Sequence, residues 1–145
     1  MRKLICVAAL LIASAGLAHA DAVADRQALM KGIGKSVGVI APMIKGEKPF
    51  DAAAASGALT KLNEFAQKID VDALFPEGSD TGETTASPKI WEDMPGFKAK
   101  ADKFEADAAA AAAADPKDLD SLRAQFKTVA ANCSGCHQDF RVKKN

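Results

Sequence analysis

Histidine and cysteine are scarce in this 145-residue chain, which has two histidines, His19 and His137, and three cysteines, Cys6, Cys133 and Cys136. A Ser-His-Asp grouping needs a histidine free to act as a base, and a tetrahedral zinc site needs four Cys or His ligands. The zinc site cannot be assembled without Cys6 or His19, which both lie in the first twenty residues, and the one other histidine, His137, directly follows Cys136 in a C-x-x-C-H run that claims it for another use. Strand signals are missing as well, since apolar and polar residues nowhere alternate with a period of two. The formal net charge is zero. That excludes the basic footprint of a nucleic-acid binder. No apolar run is long enough for a confident membrane span of about 20 residues.

The beginning of the chain accounts for the cysteine and histidine set aside. Met1 to Lys3 are basic at the tip, Leu4 to Leu17 are almost wholly apolar or small, and Ala18-His19-Ala20 supplies an A-x-A cleavage pattern. Residues 1–20 read as a secretory signal peptide cleaved after about Ala20. Of the 145 residues, 125 then remain from Asp21 to Asn145, enough for one domain with its own core. Without Arg2 and Lys3 the 19 basic residues fall to 17 against 19 acidic, a formal charge of −2. Export also places the remaining two cysteines in an oxidising compartment. A dithiol there oxidises unless it is captured.

What the chain has in abundance is helical periodicity. Arg26, Met30, Ile33, Val37, Ile40 and Ile44 alternate steps of four and three. The same spacing runs through Leu59, Leu62, Ala66 and Ile69, with Phe65 beside it. A third stripe has Ile90, Met94, Phe97, Ala101, Phe104, Ala108 and Ala111; a fourth has Leu119, Leu122, Phe126, Val129, Cys133, Cys136 and Phe140. Four amphipathic helices in heptad-like register imply an all-α, antiparallel four-helix bundle.

Punctuation between the stripes is legible. Gly46 to Pro49 ends the first helix, and Asp51 can cap the second. Pro42 should kink or stop the first helix before Met43 and Ile44. The Val71 to Ser87 segment, rich in Gly, Ser, Thr and acids, is long enough to be the bundle's crossover. Ser87-Pro88 can open the third helix, with Pro95-Gly96 interrupting it. The alanine run from 108 to 114 extends that helix with no part in chemistry. Asp115-Pro116 ends it and Asp118 can cap the fourth.

Cys133-Ser134-Gly135-Cys136-His137 carries the chemistry. Thiols three residues apart lie within one helical turn, so both can reach the two vinyl groups of one haem, and the next residue can ligate the iron. C-x-x-C also serves redox dithiols and disulfides. A thioredoxin-like dithiol should open a helix after a strand, whereas this pair sits late in a helix with no strand before it. An ordinary disulfide or dithiol is the bland alternative.

The chain resembles the class II c-type cytochromes, the cytochrome c-prime group, over essentially all of its mature length. The likeness rests on Arg26-Gln27-Ala28-Leu29-Met30-Lys31, Leu74-Phe75-Pro76-Glu77-Gly78-Ser79, Ser87-Pro88-Lys89-Ile90-Trp91, and the segment from Cys133 to Arg141. Its specific part is the C-terminal position of C-x-x-C-H. The resemblance implies a periplasmic four-helix bundle holding one covalent haem c, with Cys133 and Cys136 as thioether residues and His137 as proximal ligand. The group has high-spin, five-coordinate members that bind small gases and low-spin members with a first-helix methionine on the iron. Met30 matches that methionine, so the low-spin branch looks closer, and Gly32 and Gly34 can let helix and porphyrin approach.

Arg26, one turn before Met30, and Arg141 can each pair with a haem propionate or simply be solvated. Trp91 and Phe140 can pack on the porphyrin or belong to the core. Lys127, Lys143 and Lys144 can ring the haem edge and steer an acidic partner, or merely be solvated. The function expected is a one-electron carrier, not an enzyme; binding of nitric oxide or carbon monoxide is the alternative. Its redox partner is not named by any motif, and the resemblance implies that a homodimer, where one forms, pairs through the first two helices. N-terminal sequencing of the exported protein should begin at Asp21; a product retaining Cys6 and His19 would contradict the leader assignment.

Overall fold

Four aspartates start helices in the same way. The carboxylates of Asp51, Asp70, Asp93 and Asp118 each accept the backbone N–H three residues on, at Ala54, Ala73, Gly96 and Ser121. Each bond satisfies one of the donors that a helix start leaves unpaired. The computed structural model describes residues 10–143, with side chains from Asp21 onward. Its helices are α1 (Leu10–Lys45), α2 (Ala52–Ala66), α3 (Val71–Leu74), α4 (Lys89–Glu92), α5 (Met94–Ala114) and α6 (Leu119–Phe140). Among the described residues there is no strand, only one isolated bridge between Ala86 and Arg141.

The four long helices close a ring: α1 packs on α2, α2 on α5, α5 on α6, and α6 again on α1. Arg123 near the start of α6 donates to the Ile44 carbonyl at the end of α1. At the opposite end Arg26 of α1 meets Leu74 and Ser79, and Phe140 of α6 meets Phe97 of α5. Neighbouring long helices therefore run antiparallel, as the four stripes predict. No described helix is long and apolar enough to cross a membrane.

Two apolar clusters fill the bundle. The larger holds Ile33, Ile40, Leu59, Leu62, Leu122 and Val129 among its buried members. The smaller, at the end where the chain crosses over, holds Val71, Leu74, Phe75, Ile90, Phe97 and Phe140. Its rings meet edge to face, Phe75–Phe97 at 4.7 Å and Phe97–Phe140 at 5.1 Å between centroids. That is the favoured geometry for aromatic pairs. Met43 is a buried core side chain, and Met94 packs partly buried against the smaller cluster.

Several boundaries differ from expectation. α1 runs unbroken through Pro42 to Lys45. The lost bond would have gone to the carbonyl of Gly38, an exposed residue where water can replace it, and burial of Met43 beyond the proline offsets the cost. The third segment breaks at Asp93, between α4 and α5, and not at Pro95-Gly96; Pro95 sits in the first turn of α5, where its missing N–H is harmless. Part of the expected connection, Val71–Leu74, is helical. Of the expected leader, residues 1–9 lie outside the described residues, and residues 10–20 extend α1 toward the N-terminus.

Hydrogen bonds from Ser121 hold the Asp118 carboxyl below the usual carboxylate range. A depressed folded value means that this cap contributes above the unfolded pKa and is lost as pH falls through the folded one. Leu122→Ala, which empties a fully buried position, should lower unfolding free energy by about 2–5 kcal/mol. That loss should persist at every pH. Asp118→Ala should be less stable than wild type at pH 7, and the gap should close in acid; an undiminished gap at pH 3 in denaturant titrations would contradict the cap.

Candidate functional site

The fourth stripe turns both thiols of α6 toward the interior, because residues at i and i+3 share a face. Cys133 packs against the larger apolar cluster and Cys136 against the smaller. Both are half-buried and free of disulfides. Burial pushes both thiols up; for Cys136 the Lys100 ammonium opposes that rise. The Cys133 thiol donates weakly back to the Val129 carbonyl at 3.5 Å.

Between the two clusters lies a cavity of about 770 Å³, inside the range of about 300–1,000 Å³ typical of small-molecule and cofactor sites. Ile33, Val37, Phe97, Phe104, Phe126 and Phe140 supply much of its wall. Cys133, Cys136 and His137 line it from α6, and Met30 lines it from α1. Met30 is 41% exposed, one of only three large apolar residues so exposed among those described. His137 is exposed at the cavity mouth. Partial desolvation, and secondarily the charge of Arg141, lowers its pKa, so the neutral imidazole that binds metals is favoured.

Arg26 is 5% exposed, so the solvated reading of this residue is wrong. Its Nη1 donates to the Leu74 carbonyl at 3.2 Å and to Ser79 Oγ at 2.9 Å. Its Nη2 donates to the Ser79 carbonyl and, at 2.8 Å, to Thr84 Oγ1. The guanidinium also lies 5.1 Å from the Phe75 ring centroid. Burial lowers its pKa against the opposing charge of Asp80. All four of these acceptors are neutral, so a cation is held in the cavity wall without a carboxylate bonded to it.

These bonds make a strap of residues 75–87. Gln27 donates to the Glu83 carbonyl, and the Trp91 indole N–H donates to the carbonyls of Phe75 and Pro76 at 3.1 and 3.2 Å. Ser87 N–H bonds to the Phe140 carbonyl at 3.0 Å, Val142 N–H to that of Thr85 at 3.0 Å, and Arg141 Nε to Thr85 Oγ1 at 3.2 Å. The strap thus joins α1 just before Met30 to α6 just after His137. Trp91 is one of its anchors and is not among the cavity-lining residues; Phe140 is both core and lining.

Other expectations separate in the same way. A Cβ on Gly32 would come within 2.5 Å of the Phe65 ring, so this glycine serves α1–α2 packing, whereas Gly34 lines the cavity. Lys127 and Lys143 are exposed and are not among the residues lining the cavity; Lys144 lies outside the described residues. Ser79, Thr84 and Lys100 were not legible as site residues. Ser79 lies in one of the quoted family segments, but nothing in a serine's identity announces that it is 1% exposed.

A helical bundle that presents C-x-x-C-H to an apolar interior cavity defines a c-type cytochrome site. The chain belongs to the cytochrome c′ family, whose profile matches residues 21–141. It is 45% identical over 125 residues to cytochrome c-556 of Agrobacterium fabrum (strain C58 / ATCC 33970), covering 86% of this chain and 84% of that one. It is 42% identical over 149 residues to cytochrome c′ of Rhodopseudomonas palustris (strain ATCC BAA-98 / CGA009), covering 99% and 98%. Cytochrome c prime from Shewanella frigidimarina superposes with a TM-score of 0.80 at 35% identity, covering 86% of this chain and 97% of that one. Family members carry covalently attached haem c. The residues here fit that group: two inward thiols, an imidazole next to them whose neutral form is favoured, and an apolar cavity with a buried guanidinium in its wall. Among the described residues no cluster of three His, Cys, Asp or Glu side chains could hold a bare metal ion.

Thioethers survive denaturation, so haem should remain with the polypeptide through acid-acetone extraction. Cys133→Ala and Cys136→Ala should each sharply lower the yield of holoprotein after export. Full yield from both variants would contradict attachment at these thiols.

Proposed function

We propose that the protein is a periplasmic one-electron carrier, with Cys133 and Cys136 as the thioether residues, His137 as proximal ligand and Met30 as the sixth. Haem supplies an iron that accepts and returns one electron. The chain's part is to hold that iron in one ligand set so that little rearranges on transfer.

The observation that carries this reading is that one apolar cavity is lined by His137 from α6 and by Met30 from the antiparallel α1. A thioether opposite histidine raises the reduction potential toward electron transfer. A methionine is more often pliable filler inside a core, yet Met30 is exposed on the cavity wall while Met43 is buried. Arg26 and Arg141 line the same cavity, and we assign them to the propionate end. A homodimer through α1 and α2 would cover Val39, which is exposed and lines a shallow groove with Phe65.

Binding of nitric oxide or carbon monoxide is the competing reading, and it has one feature in its favour. Gly34, one turn after Met30 on the cavity wall, leaves space that a side chain would fill.

Ligation by Met30 should make the ferric protein low-spin, give a weak sulfur-to-iron band in the far red, and leave the reduced protein slow to bind carbon monoxide. Met30→Ala should turn it high-spin and open it to gas. A wild-type protein that is already high-spin and binds carbon monoxide quickly would favour the gas-binding reading instead.

A further inference from the structure

We propose that Lys100 is a positioning residue whose ammonium, held at the haem-attachment turn, raises the reduction potential of the site. Lys100 stands on α5 and lines the cavity. Its Nζ donates to the Gly135 carbonyl at 3.0 Å, inside the Cys-Ser-Gly-Cys-His segment, and lies 2.8 Å from the Asp139 carboxylate. A Cβ at position 135 would stand 3.7 Å from Nζ, an ordinary contact, so the approach does not depend on the glycine. A second polar tie from α5, Asp107 to Asn132 Nδ2 at 2.6 Å, holds the same turn on the other side of Cys133.

Uptake of one electron from a donor protein lowers the charge of the site by one, with no bond made or broken. A cation fixed beside the site favours that reduced state, and a carboxylate beside it opposes it. The two side chains of the pair are 38% and 40% exposed, so water and salt screen both effects. The bond to Gly135 matters because it keeps Nζ in place even when the Asp139 charge is removed. Lysine and aspartate should therefore act in opposite directions, which a merely structural clamp would not produce.

The inference rests on the haem reading, and the test separates the two. Holoprotein variants Lys100→Met, Lys100→Arg and Asp139→Asn are purified, and their absorption spectra are recorded before redox titration. Absence of covalent haem in wild type would overturn the site reading itself. With haem present and the spin state unchanged, Lys100→Met should shift the potential down, Asp139→Asn should shift it up, and Lys100→Arg should leave it near wild type. Both shifts should shrink as ionic strength rises. Unchanged potentials, or shifts of the same sign in the methionine and asparagine variants, would overturn the role of Lys100. If Lys100→Met yields too little holoprotein to titrate, Lys100→Gln takes its place, and a potential that is not lowered in that variant would overturn the role of Lys100.

Discussion

Packing of the α6 stripe against α5 and α1 determines which way the two thiols face, and the rest of the site depends on that register. Leu122 and Val129 are fully buried on this stripe, and the same helical period carries the burial on to Cys133, Cys136 and Phe140. A rotation of α6 by one residue, about 100° on a helix of 3.6 residues per turn, would send the thiols toward solvent and part His137 from Met30. Burying a leucine side chain stabilises by about 1.5–3 kcal/mol, so several such residues hold the register against that rotation. Bundle packing and site chemistry are in this sense one constraint.

The crossover strap is the second device, and it ties the helix that carries Met30 to the helix that carries His137. Arg26 holds it to α1 through Ser79 and Thr84, while Ser87, Thr85 and Arg141 hold it to the end of α6. A buried guanidinium is costly unless its donors are satisfied. Here neutral oxygens accept four of its five donors, so the charge is held in the cavity wall without a hydrogen-bonded carboxylate.

Much of this was legible beforehand, for physical reasons that differ by element. The long helices showed because stripes of three and four residues persist over many turns, and C-x-x-C-H showed because its spacing matches one chemical task. Asp118 could be placed as a cap, since its partner is local. The short α3 was missed although Asp70, Val71 and Leu74 carry a cap and an i, i+3 apolar pair; its single turn was outweighed by the polar residues that follow. The partners of Arg26 and Lys100 could not be read at all. They lie 35 to 58 residues away in sequence, and such contacts exist only once the bundle has closed.

Covalent attachment at one short segment is the central claim, and peptide mapping tests it most directly. Trypsin cleaves after Lys127 and Arg141, releasing residues 128–141 with both cysteines and His137. From the purified protein, this one fragment should carry haem, and neither of its cysteines should accept an alkylating reagent. A haem-free fragment, with its cysteines alkylated or joined as a disulfide, would contradict that claim.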